Sequence, residues 1–175
     1  MTKGLPRSLK HAQFQVNPIT PTKLSIPINT TIVVTATGAA VGIGAEKIIA
    51  SLPEGNIIFL GTAASLAFAG NGADANLSDT WNGDYAIGTA DDVNGTLAGA
   101  EVNVAPSVAV GPAVAEVAAA VRSVLAAPVN VDQTAAVGAI YLNLIIDAAD
   151  ITDDESVTIT VNGTVDILYQ VLGDD

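Results

Sequence analysis

The sequence predicts a mainly β protein, an antiparallel β-sandwich or jelly-roll-like domain over residues 29–175 that follows an extended N-terminal arm over residues 1–28. Three observations carry this prediction. From Asn29 onward, short β-branched or aromatic runs recur between turn residues. Asn-Gly pairs stand at 71–72, 82–83, 94–95 and 162–163, which is dense turn chemistry for one domain. Four of the eight prolines, Pro6, Pro18, Pro21 and Pro27, fall in the first 28 residues. There they fix φ and remove donors, favouring extended backbone over helix.

Residues 1–28 read as an arm that lies along a surface; a loose terminal tail is the plain alternative. Beyond it, "TIVVTAT" (31–37), "NIIFLG" (56–61) and "SLAFAG" (65–70) have the length and composition of strands. "GAAVGIGAEK" (38–47) reads as a mobile turn, and residues 44–55 as room for one helical turn before Pro53. In "IYLNLIID" (140–147), Ile140, Leu142, Leu144 and Ile146 share one apolar face opposite Tyr141, Asn143, Ile145 and Asp147, the pattern of a half-buried strand. "ESVTITVNGTVDILYQV" (155–171) reads as a hairpin around Asn162-Gly163. A loop of Val161, Asn162 and Gly163 sets Ile159 opposite Val165 and Val157 opposite Ile167, with Gly163 in the left-handed position.

One segment departs from the β texture. "PAVAEVAAAVRSVLAAP" carries Val114, Val117, Val121, Val124 and Leu125 at helical spacing, with Pro112 before and Pro128 after. The spacing predicts a short Ala-rich helix over 113–127, although alanine and valine also suit a buried extended run.

The chain has 175 residues, enough for one domain with a substantial core, and half of them are hydrophobic. No long uninterrupted apolar run is present, because Glu116 and Arg122 break the most apolar stretch, so no membrane span is expected. The N-terminus has basic residues without an apolar run behind them, which argues against a secretory signal. Cysteine is absent, which excludes disulfides and thiolate metal sites.

Charge is divided sharply along the chain. Lys3, Arg7, Lys10 and Lys23 are four of the six basic residues, and no acid precedes Glu46. All eighteen acids follow, with only Lys47 and Arg122 to oppose them, and the net charge is −12. Such a body repels nucleic acid.

The side chains of common catalytic sites are scarce. The single histidine, His11, lies in the cationic arm, so Ser-His-Asp and Cys-His chemistry lacks its base. No glycine-rich phosphate-binding motif occurs. The carboxylates sit beside Gly, Asn, Ser or Thr, as turn chemistry does, and not as an enclosed acid pair. In "NLSDTWNGDYAIGTADDVNG" (76–95), the oxygen-rich composition invites calcium. An EF-hand alignment from Asp74 fails, because Asp79 stands where Gly is needed and Tyr85 where Glu is needed. "AGNGADANL" (69–77) partly matches a nonapeptide calcium repeat, in one copy where stacking requires several. No metal and no cofactor is expected. Residues 76–95 read as a solvent-side loop, with Trp81 and Tyr85 packing down on the body or on a neighbouring subunit.

"LPEGNIIFLGTAASLAFAGNGADANLSDTWNGDYAIGTADD" and "LNLIIDAADITDDESVTITVNGTVDILYQVLGDD" resemble capsid auxiliary (decoration or cement) proteins of tailed bacteriophages. The resemblance spans most of residues 30–175 and rests on texture and recurring phrases. It implies a non-enzymatic, jelly-roll-like subunit, often trimeric, that sits on the outer capsid surface and bridges major capsid proteins. It also implies a place in the virion, and in the host cytoplasm during assembly. On that reading Lys3, Arg7, Lys10 and Lys23 are the partner-binding candidates, facing acidic patches on the capsid protein or on another copy. Another virion part, such as a tail or fibre subunit, and a sugar- or calcium-binding surface module are the alternatives.

Overall fold

The computed structural model describes residues 21–38, 40–49, 51–53, 55–71, 74–92, 94–112, 121–124, 129–133 and 138–172. Nine strands carry them: β1 Thr22–Thr35, β2 Gly42–Ile49, β3 Gly55–Ala69, β4 Gly83–Gly88, β5 Ala105–Val110, β6 Val121–Val124, β7 Val129–Gln133, β8 Ile140–Ile146 and β9 Ser156–Val171. All pairings are antiparallel, in the order β5-β4-β8-β2-β1-β9-β3-β6, with β7 also on β3. The two ends of that order, β5 and β6, come together, so the sheet is nearly closed into a barrel. The expected mainly β, sandwich-like architecture is therefore present.

Three long strands dominate. β1 pairs with β9 along its whole length, from Thr22↔Tyr169 to Thr35↔Ser156, and β9 pairs in turn with β3. β1 is paired with β2 at Thr35↔Ile43, where the sheet folds over and continues as β2-β8-β4-β5. Core side chains from both halves meet between the layers: Ile32, Phe59, Leu66, Phe68, Ile159 and Val165 from one, Tyr85, Ile87, Leu142 and Leu144 from the other. Each such side chain removed from water stabilises the fold by roughly 1.5–3 kcal/mol.

The expected β8 face is realised, with Ile140, Leu142, Leu144 and Ile146 all fully buried. "NIIFLG" and "SLAFAG" prove to be one strand, β3. A register shift between Phe59 and Gly61 inserts an extra residue, so Ile57 and Phe59 point inward before it and Ala64, Leu66 and Phe68 after it. Because side chains alternate with period two, that bulge flips the phase and makes one strand look like two.

Several expectations are corrected. Glu155 to Val171 contains no hairpin: Asn162-Gly163 lies inside the continuous β9, paired with Asn29 and Ile28 on one side and with Ala67 and Leu66 on the other. Gly163 is required by close approach, since a Cβ there would lie 2.1 Å from the Ser65 carbonyl oxygen, at a φ of 148°. The glycine-rich 38–47 is largely strand β2, not a turn, and β2 also replaces the helical turn expected before Pro53. There the lack of side chains lets β2 cross β1: a Cβ on Gly44 would stand 2.6 Å from the Val33 carbonyl oxygen. The helix expected over 113–127 is contradicted at Val121–Val124, which is β6, paired with Ala63 to Leu66 of β3. An open edge of β3 supplies backbone partners that helical spacing alone cannot reveal. The other residues of that segment lie outside the described ones. Finally, residues 22–28, assigned to the arm, are the first half of β1.

Candidate interaction surfaces

Two acidic segments form one end of the molecule. Residues 74–84 carry three aspartates and residues 147–155 carry five acids, and no basic residue lies in either. They are laced together by backbone. The Ser78 N–H donates to the Asp150 carbonyl (2.8 Å) and the Thr152 N–H to the Asn76 carbonyl (2.9 Å). Leu77 and Ile151 form a bridge, and the Asp147 N–H donates to the Asn82 carbonyl at 2.9 Å.

Several carboxylates are occupied in holding this end in shape. Asp150 Oδ2 accepts from the Asn82 backbone N–H at 2.8 Å, and Asp74 Oδ1 from the Asn76 N–H at 3.0 Å. Asp154, at a φ of 59°, accepts the Gly38 N–H at 2.7 Å. Short acidic side chains answer nearby N–H groups in this way, which is why they concentrate in turns. Among the described residues, no group of three or more His, Cys, Asp or Glu could hold a metal ion.

The stretch 76–95 is not one solvent-side loop, because β4 runs through its middle and all but one of its residues are buried. Trp81 is fully buried beneath the acidic end and Tyr85 within the core, its ring 5.2 Å from that of Phe68. Both therefore pack on the body of their own subunit, as expected, and neither forms an exposed platform for a sugar ring. Asn82-Gly83 is likewise no turn: a Cβ on Gly83 would lie 2.1 Å from the Ile145 carbonyl oxygen.

Sequence reading missed Asn143. It stands on the face of β8 expected to be outward, yet it is fully buried by the segment 88–103. Its Oδ1 accepts the Asp92 N–H (3.0 Å), and its Nδ2 donates to the carbonyls of Ala90 (3.0 Å) and Glu101 (3.1 Å). Asp92 Oδ1 then accepts the N–H groups of Asn94 (2.9 Å) and Gly95 (3.0 Å), where Asn94-Gly95 does form a turn with φ of 73° at Gly95. One amide thus fastens a long connection to the sheet. The only hint in the sequence was a polar residue inside an otherwise hydrophobic run.

The cationic candidates divide. Lys3, Arg7 and Lys10 lie outside the described residues. Lys23 lies on β1, and its Nζ is 3.0 Å from Asp166 Oδ2, both side chains partly exposed. The Ser25 hydroxyl also donates to Asp166, and these two partners hold its carboxyl below the usual aspartate range. Lys23 is therefore matched within its own subunit. Lys47 lies 5.4 Å from the Tyr141 ring centre.

Beyond Asp166, the outer face of β3, β9 and β1 is uncharged. Ser65, Thr164 and Pro27 form one row in register, Ala67, Asn162 and Asn29 the next, and Ala69, Thr160 and Thr31 a third. No family model, curated protein or solved structure matches the chain.

Proposed function

We propose that the protein is a virion structural component that binds the outer surface of a phage capsid as a homotrimer and stabilises it by bridging major capsid proteins. The observation that carries this reading is the division of charge along a chain folded into one β sheet. Eight of the eighteen acids lie at one end, in segments laced together by backbone hydrogen bonds, while three of the six cations precede Thr22 in the sequence and Lys23 is held in an internal pair. Charge so separated suits docking between neighbours of opposite sign more than it suits chemistry on a small substrate.

Stabilisation follows from linkage. A subunit that binds only the assembled shell lowers its free energy by RT ln(1 + [L]/Kd), about 2.7 kcal/mol per site when the free subunit is at a hundred times its Kd. Repetition over the shell multiplies that term. Because Lys23 already faces Asp166, the cations assigned to the partner are Lys3, Arg7 and Lys10. Contacts made by such exposed charges weaken as salt shortens the Debye length from about 10 Å at 0.1 M to about 3 Å at 1 M.

The test is co-sedimentation with assembled shells, comparing the wild type with the triple variant Lys3→Glu, Arg7→Glu, Lys10→Glu. Wild-type binding that falls with salt, and a variant that binds weakly with little salt dependence, support the reading. Equal binding by both proteins removes the arm from the interface. Absence of wild-type binding, together with assembly into rings or fibres, assigns the protein to a tail structure.

A further inference from the structure

We infer that Asn94 is a site of structure-assisted deamidation, in which the Gly95 backbone nitrogen attacks the Asn94 side chain with Asp92 as its base and the Thr96 N–H as its oxyanion donor. Asparagine is a thermolabile residue, and most so before glycine, where no side chain shields the attacking nitrogen. Three of the four Asn-Gly pairs lie wholly among the described residues, and the fold treats them differently. Asn162-Gly163 is extended within β9 and paired on both sides. Asn82-Gly83 leads into β4, and the Asn82 backbone N–H and Nδ2 both donate to Asp150 Oδ2, at 2.8 and 3.3 Å. Of the three, Asn94-Gly95 alone forms a turn, with Asn94 exposed to water.

That turn brings together the parts the reaction needs. Asp92 Oδ1 accepts the Gly95 N–H at 3.0 Å, so a carboxylate rests on the nitrogen that must lose its proton. The Thr96 N–H donates to Asn94 Oδ1 at 2.9 Å, which folds the side chain over the following peptide and sets a donor on the oxygen that becomes negative. Asp92 is buried and its own N–H is held by Asn143 Oδ1 at 3.0 Å, so the base is fixed to the sheet. Its Oδ2 has no hydrogen-bond partner among the described residues, which leaves the carboxylate free to carry a proton. Glycine is compelled at position 95, both by a φ of 73° and because an added Cβ would stand 2.4 Å from Val41 Cγ2. In the reaction, Asp92 takes the Gly95 proton as the nitrogen bonds to Asn94 Cγ. Collapse of the oxyanion breaks the Cγ–Nδ2 bond, and the proton departs with ammonia, leaving a succinimide. Water then opens either ring C–N bond to give aspartate or isoaspartate. Water is consumed, ammonia is released, and nothing is oxidised or reduced. The product carries a further negative charge beside Asp92, and isoaspartate also lengthens the main chain within the connection that Asn143 fastens. The inference does not depend on the proposed function.

The test incubates the full chain, folded and in urea, in heavy-oxygen water, and follows oxygen uptake at each asparagine by peptide mapping in a mass spectrometer. Assistance by the fold predicts that Asn94 reacts at least about tenfold faster in the folded chain than in the unfolded one, within the roughly 10²–10⁴-fold that a positioned base contributes. Asn82 and Asn162 should react more slowly folded than unfolded, because their surroundings hold them away from ring closure. A smaller ratio at Asn94, or a folded rate there no greater than at Asn162, overturns the inference. Asp92→Asn keeps an acceptor for the Gly95 N–H but removes the base, so the folded rate at Asn94 should fall at least about tenfold. If Asp92 only shapes the turn, its replacement loosens the loop and the rate rises; a rise, or a smaller fall, overturns the inference. Should that variant fail to fold, judged by Trp81 emission, the comparison of folded with unfolded wild type decides alone.

Discussion

Substituting Gly163 by alanine tests the continuity of β9 directly. The new Cβ would stand 2.1 Å from the Ser65 carbonyl oxygen and 3.0 Å from Leu66 Cα, both backbone atoms of β3 that cannot rotate away. At a φ of 148°, an L-residue also meets backbone strain of about 1–3 kcal/mol. Overpacking adds about 1–3 kcal/mol. The combined loss of about 2–6 kcal/mol is a large part of the 5–15 kcal/mol typical of a folded domain. Urea unfolding followed by the single tryptophan reads this loss as a lower midpoint. Gly61→Ala is the matched control, because nothing lies within 4 Å of its added Cβ. It should change stability by no more than about 0.5 kcal/mol. Gly163→Asn separates the strand from the hairpin: asparagine suits the left-handed tip of a turn, but its Cβ meets the same carbonyl here. Stability equal to that of the Gly61 variant for either substitution would refute the continuous strand.

Three further outcomes are expected. Asn143→Leu leaves the Ala90 and Glu101 carbonyls and the Asp92 N–H without their partner, each worth about 1–3 kcal/mol when buried, and amide exchange should quicken first within 88–103. Trp81→Ala should cost about 3–5 kcal/mol, and in the wild type acrylamide should quench Trp81 poorly until the chain unfolds. Asp166→Asn should remove stability that is present above the unfolded carboxyl value of 3.8 and lost as pH falls through the lower folded value. The gap between wild type and variant in urea midpoint should therefore be constant near neutrality, narrow below about pH 4 and close in stronger acid.

Much of the fold was legible because burial and alternation are local signals. β8 showed its apolar face outright, and the strand character of β1, β3 and β9 followed from β-branched and aromatic content. What failed was punctuation. Val157, Ile159, Val165 and Ile167 point inward in the real strand, and the same four share one face in the hairpin. The alternation could not distinguish them; the length of β1 and β3 on either side decided the matter. Glycine misled for a related reason. Gly42, Gly44, Gly83 and Gly163 are demanded by neighbours distant in sequence, while Gly95 marks a turn. At the candidate surface, the charge division was readable, but the Lys23–Asp166 pair and the burial of Asn143 depend on tertiary contacts.

The proposed capsid role requires that the subunit stabilise assembled shells and ignore unassembled capsid protein. Shell disruption temperature, measured by light scattering against subunit concentration, tests this directly. The expected result is a rise that continues logarithmically above Kd as linkage requires, with no binding to the unassembled capsid protein in the same buffer. A disruption temperature that does not move at saturating subunit, or equal binding to shells and to free capsid protein, would contradict it.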